Sequence, residues 1–328
     1  MKQARNVVIL TIVGLVLIGV GFYLALALGT TRLSLLDLLS TLFSRSDELD
    51  VLLIRDVRLP RVIAAFFVGG SLALSGSLIQ GATRNPIAEP SILGVSQSAI
   101  FVVSVFYAFN ASMSGPLVWI AALIGSILGL GLVLFILYGS SQVAMTRLLL
   151  AGTAISTLFL SLTSIVGLLS NKAQFIAFWI AGGLRNTTWL DTQIIIFISL
   201  VCLLISLFIA RKIDVINLGD DVAIGLGVHP FGVRLTVLIL VIPLIASTVA
   251  VGKNIAFVGL IIPQIIRSFI KSKHAQLFPL VFIFGGILVV LADLCARLIV
   301  APYELPIGVF TALLGVPFFI HQALRIKR

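Results

Sequence analysis

The sequence predicts an all-α polytopic membrane protein with about ten transmembrane helices, and three observations predict it. Hydrophobic residues fill 60% of the 328 positions and charged residues 10%, with a mean hydropathy of +1.22, far outside the soluble range. Apolar stretches of roughly 20 residues, the length that crosses a hydrocarbon core, recur along the whole chain. The charges gather at the ends of those stretches.

Residues 7–29 form the first stretch. Lys2 and Arg5 precede it and Ala25-Leu26-Ala27 imitates a cleavage site, but the run is longer than a signal-peptide core, so it is read as an uncleaved span. A charged loop, 30–60, follows on the extracytoplasmic side, and Pro60 is expected to break any helix arriving from it. The remaining stretches are 61–80, 92–109, 116–138, 147–169, 192–210, 233–251, 255–270, 278–300 and 306–323. The weakest is 255–270, which is short and interrupted by Gly259 and Pro263. Gly69, Ala73 and Ser77 in one stretch, and Gly125 and Gly129 in another, fall at helical spacing and let backbones approach closely.

Orientation follows the Lys and Arg bias: with the N-terminus inside, cytoplasmic segments hold 13 of these residues and the opposite side nine. Both termini and the polar break 214–234 are thereby placed in the cytoplasm. That break contains Asp214, Asp220 and Asp221 and a short helical run bounded by glycines, more than a simple connection between two spans requires.

The composition also excludes function classes. The net charge of +10 is dispersed at span ends, where it sets topology and meets anionic lipid, so no nucleic-acid partner is expected. Cys202 and Cys295 lie in apolar runs, and His229, His274 and His321 are scattered, so no disulfide framework, metal site or catalytic set is expected. The pair Gly252-Lys253 is followed by Asn254, which leaves no phosphate-cradling loop.

The segment 58–98 is unusual: Arg58 and Arg61 flank Pro60, a Gly/Ser-rich helix follows, and then come Gln80-Gly81, Arg84-Asn85-Pro86 and Glu89-Pro90. The blocks R-L-P-R, G-x-x-L-A-x-S-G-x-x-I-Q-G, R-N-P-I-A-E-P and L-G-V resemble the permease subunits of ABC importers for iron-siderophore complexes, haem and cobalamin, the FecCD-type permeases. The resemblance continues through Leu218-Gly219-Asp220, Leu226-Gly227-Val228, Phe257 to Pro263, Ala292 to Arg297 and Glu304 to Phe319. One position departs: the family commonly has His after the proline of the Phe257–Pro263 block, and here Gln264 stands there, which hydrogen-bonds but does not titrate.

The resemblance implies one permease domain over 1–328 in the cell membrane, paired as a homodimer or with a paralogous permease. It implies two cytoplasmic ATPase subunits, which would bind ATP and Mg, and an extracytoplasmic substrate-binding protein; this chain itself would carry no cofactor and be no enzyme. The substrate expected is a ferric siderophore, with haem or cobalamin as the alternatives within the family.

Arg58, Arg61 and Arg297 become candidates for docking the binding protein, since a guanidinium pairs bidentately with carboxylate. Against this stands anchoring of Arg58 and Arg61 at headgroup level and neutralisation of Arg297 by Asp293 at i,i+4. Gln80, Asn85, Gln97 and Ser98 are pathway candidates, or else cap the break at Pro86 and Pro90. Leu218, Gly219, Asp220, Asp221, Ala223, Gly225, Leu226 and Gly227 match the family's ATPase-coupling segment, with Asp220 and Asp221 placed to cap a helix; a solvated loop is the alternative. On composition alone an ion-coupled transporter or a membrane enzyme competes, but Asp293 is the one clear intramembrane carboxylate and no convergent catalytic set lies within the spans.

Overall fold

The computed structural model describes residues 2–28, 49–109, 115–137, 145–270, 273–301 and 303–326. Most of the expected outer loop 30–60 lies outside them. Regular structure among the described residues is entirely helical. The helices are α1 (Lys2–Ala27), α2 (Leu59–Thr83), α3 (Val95–Phe109), α4 (Gly115–Leu137), α5 (Met145–Leu169) and α6 (Ala173–Ala181). They continue as α7 (Trp189–Ile216), α8 (Asp220–Gly225), α9 (Pro230–Gly252), α10 (Val258–Phe269), α11 (His274–Leu298) and α12 (Ile307–Ile326).

Seven of these helices are long and apolar enough to cross a membrane, and three shorter apolar ones, α3, α10 and the Ile307–Phe318 part of α12, occupy the other expected stretches. With 12 residues, α10 rises only about 18 Å, against a hydrocarbon core of about 30 Å. Between Leu169 and Trp189 lies α6, which the hydropathy pattern passes over because nine residues cannot span.

The Pro60 expectation needs correction. Helix runs straight through it: Leu49–Leu52 leads into a π-helical turn, Leu53–Arg58, which leads into α2. Proline lacks an N–H and crowds the carbonyl one turn back, and the wider π turn ends just where that carbonyl would have to move aside.

The centre of the bundle is α2, with 19 of its 25 residues buried. It packs most extensively on α11, and then on α9, α7 and α10. The small-residue pattern explains the closeness: a Cβ on Gly69 would overlap the Gly285 carbonyl of α11, and one on Gly76 would overlap the Gly259 carbonyl of α10. Gly125 and Gly129 bring α4 onto Ser98 and Ala99 of α3 in the same way. Outer helices such as α1, α5 and α7 present rows of exposed Leu, Ile, Val and Phe.

Candidate functional site

Two polar clusters sit at opposite ends of α2. Residues 61 and 84 are separated by 23 helical steps, roughly 35 Å along the axis.

At the first end, the guanidinium of Arg61 donates to both oxygens of Asp293, from Nε at 3.1 and 3.2 Å and from Nη2 at 2.8 Å, and its Nη1 donates to Glu304 at 2.9 Å. Arg297 faces Asp293 at 3.1 Å one turn along α11, and Arg185 donates to Glu304 at 2.8 Å. Asp293 is almost fully enclosed, at 1% exposure. Arg58 donates to the Leu26 carbonyl at 2.9 Å and Arg297 to the Ala25 carbonyl at 3.1 Å. These carbonyls belong to the last turn of α1, which lacks intrahelical donors and carries partial negative charge, so cations there are stabilising. Glu304, between α11 and α12, sits below the usual carboxylate range: burial opposes ionisation, and the hydrogen bonds and charges of Arg61 and Arg185 outweigh it.

All three docking candidates are therefore turned inward. Arg58 and Arg297 hold the end of α1, and Arg61 ties α2 to α11 and to the approach of α12. Arg185, whose side chain is 40% exposed, is the member of the cluster most open to a partner, and the sequence reading did not single it out. Four arginines against Asp293 and Glu304 leave the cluster with an excess of positive charge.

At the other end, α8 opens with Asp220, which pairs with Arg234 of α9 through both oxygens, at 2.9 and 3.0 Å, and with Arg84 just past α2. Its expected capping role is not what the structure uses. The N-cap is Gly219 with no side-chain cap, because the Asp220 carboxylate turns sideways to the two guanidiniums. The Asp220 pKa is lowered: burial raises it, and the hydrogen bonds and charges of Arg234 and Arg84 more than compensate. Gly219 and Gly227 have φ of 131° and 76°, conformations that side chains resist, so the glycines fix the entry to α8 and the exit from it. The Ala223 side chain is buried, while Leu218, Val222, Ile224 and Leu226 are exposed apolar side chains on and beside α8.

Between the ends lies a break in α10 with a specific repair. Pro263 has no N–H to give the Gly259 carbonyl, and the Gln80 side chain of α2 donates to that carbonyl at 3.0 Å. Gln264 in turn donates to the Gln80 Oε1 at 2.9 Å and to the Pro86 carbonyl at 3.0 Å. One amide nitrogen thus supplies two bonds, which a neutral imidazole nitrogen could not. Asn85 accepts the Ile87 N–H in a local turn, and Ser98 donates back to Gly94 and Val95. Of the four pathway candidates, Gln97 keeps spare capacity: its Oε1 is buried without a hydrogen-bond partner among the described residues. Glu89 is buried too and accepts the N–H of Phe257, the residue that opens α10 in a left-handed conformation.

A further cluster joins α7, α10 and α11. His274 Nε2 lies 3.1 Å from the Arg267 guanidinium, which can only donate, so Nδ1 carries the proton and gives it to Asp214 at 2.5 Å. No group of three or more His, Cys, Asp or Glu able to hold a metal occurs among the described residues.

Residues 16–325 match the FecCD transport family. The iron(3+)-hydroxamate import system permease protein FhuB of Bacillus subtilis (strain 168) is 38% identical over 100% of this chain and 86% of its own length. The Fe(3+)-citrate import system permease protein YfmD of the same strain is 33% identical over 98% and 96%. The hemin transport system permease protein HmuU of Yersinia pestis is 35% identical over 82% of each chain. A solved structure described as a metal-chelate type ABC transporter in an inward-facing conformation superposes with a TM-score of 0.84 at 29% identity, over 98% of this chain and 99% of that one. A family match along nearly the whole length, together with relatives above 30% identity, places this chain in the FecCD transport family.

Proposed function

We propose that this chain is the transmembrane permease subunit of a binding-protein-dependent ABC importer that carries a ferric siderophore. The observation that carries this reading is the end-to-end likeness to an iron(3+)-hydroxamate import permease, supported by a second relative named for Fe(3+)-citrate. In this reading all ten apolar helices cross the cell membrane, the three short ones with the help of their flanks, and both termini are cytoplasmic. The subunit pairs with a second copy or a paralogue and takes its energy from two ATPase subunits, which bind ATP and Mg.

The exposed apolar side chains of α8 and its flanks meet the ATPase, with Leu218 and Leu226 in contact and Ala223 setting the seat of the helix. The positive cluster around Arg61 faces outward and receives an acidic binding protein, with Arg185 reachable and Arg58, Arg61 and Arg297 holding the frame. Gln97, Gln80, Asn85 and Ser98 lie along the translocation path; a large chelate requires a passage without a deep permanent site.

Reconstitution in proteoliposomes tests the reading. With the ATPase and binding protein present, radio-iron supplied as ferric hydroxamate is expected to enter in an ATP-dependent way, and ferric citrate and haemin less so. Entry driven by an ion gradient without ATP would overturn the proposal. Leu226→Glu is expected to remove ATPase association while the subunit remains in the membrane, and normal ATP-driven uptake by that variant would refute the role given to α8.

A further inference from the structure

We propose that Asp220 is a positioning residue that locks α8 to the end of α2, so that movement of α8 is passed to the central helix of the bundle. The inference rests on the coupling role given to α8 above and names the device inside this chain that would make it work.

The last carbonyls of a helix have no intrahelical donors. At the end of α2 they are taken up from both sides of α8: Asn217 donates to the Gly81 carbonyl and Arg234 Nε to the Ala82 carbonyl, each at 3.2 Å. Asp220 completes the clamp. It holds the Nη1 and Nη2 groups of Arg234 at 3.0 and 2.9 Å and also binds Arg84, which ends α2 in a left-handed conformation with φ of 51°. Without the carboxylate, two guanidiniums would face each other at one spot.

The rest of the attachment is slight. Glycines with positive φ stand on either side of α8, and Ala223 is its one buried residue. This six-residue helix packs on α7 and α9 but makes little other contact with α2, so the charged clamp is what ties its position to that of α2. Beyond the clamp, α2 is keyed to α10 through Gln80 and the Gly259 carbonyl, and Gln264 closes on Gln80. A push on α8 is thereby passed on to the α2–α10 pair.

The test uses the whole importer, with ATPase and binding protein, in proteoliposomes and with ferric hydroxamate carrying radio-iron as the probe. Asp220→Asn is expected to keep ATPase association and ATP hydrolysis while iron delivered per ATP falls about tenfold. Asp220→Glu should restore most of that ratio, and the double change Arg84→Gln with Arg234→Gln, which removes the other half of the clamp, should reproduce the fall. An unchanged ratio in Asp220→Asn or in the double variant overturns the proposal. Loss of ATPase association in Asp220→Asn also overturns it, because Asp220 would then be a contact of the ATPase itself. Leu226→Glu separates the two levels: if it abolishes association while Asp220→Asn transports normally, the coupling role of α8 stands and the clamp falls.

Discussion

Asp293 offers a direct measure of what the charged cluster at the start of α2 does. Its carboxylate binds Arg61 at 2.8 Å and faces Arg297 at 3.1 Å, with 1% of the side chain exposed. Asp293→Asn preserves shape and removes the charge, leaving Arg61 and Arg297 buried near one another. Removing one side of a buried ion pair costs about 3–5 kcal/mol. Arg61 keeps Glu304 and Arg297 keeps the Ala25 carbonyl, so the lower end, about 3 kcal/mol, is expected. Large domains lose about 2 °C of Tm per kcal/mol, which gives a fall of about 6 °C. The assay is the temperature at which the detergent-purified chain stops eluting as a single species. The double change Asp293→Asn with Arg297→Gln removes the stranded cation too and should recover at least half of the loss, a coupling that a mutant cycle reads directly. If Asp293→Asn melts within about 1 °C of the parent, or if the double variant is merely additive, the cluster is not a structural joint.

Two further outcomes are expected. Gly76→Ala should destabilise the chain by about 1–3 kcal/mol or more, since a Cβ there overlaps a backbone carbonyl that cannot give way, whereas a Cβ at Gly19 meets nothing within 4 Å and Gly19→Ala should be near neutral; equal melting temperatures would refute the close α2–α10 contact. Glu304 is ionised more readily in the folded chain than in the unfolded one, so its stabilising contribution is complete above the unfolded value of about 4.3 and is lost as pH falls through the lower folded value. Glu304→Gln should accordingly melt lower at neutral pH and lose less on acidification from about pH 6 to pH 3, and parallel melting curves for the two proteins would contradict the assignment.

The helices were legible because apolar runs of spanning length leave a strong mark, and the family was legible because its blocks extend from Arg58 to Phe319. The small-residue stripes were read correctly as contacts, though not their partners: nothing near Gly69 in sequence points to Gly285. Pro60 was misread because a π turn has no sequence signature as plain as the proline it accommodates. The arginines at 58, 61 and 297 were found by position, but whether they faced a partner or the protein depended on carbonyls and carboxylates far along the chain. The same distance, 136 residues, hid Arg84, which the sequence shows only as the start of the R-N-P block, from Asp220. The repair at Gly259 could have been foreseen in part, since Pro263 announces an orphaned carbonyl, but not that Gln80 supplies the donor.

The burial of α2 also bears on how the protein is made. Its closest neighbour, α11, is encoded far downstream, and Arg61 waits for a carboxylate 232 residues later in the chain. At 5–20 residues per second the ribosome needs roughly 10–50 s to deliver it. For that time the innermost helix of the finished subunit is its most exposed newcomer, with a bare glycine stripe and an uncompensated cation at its mouth. The early-made centre of this molecule therefore becomes secure only when the later half has closed around it.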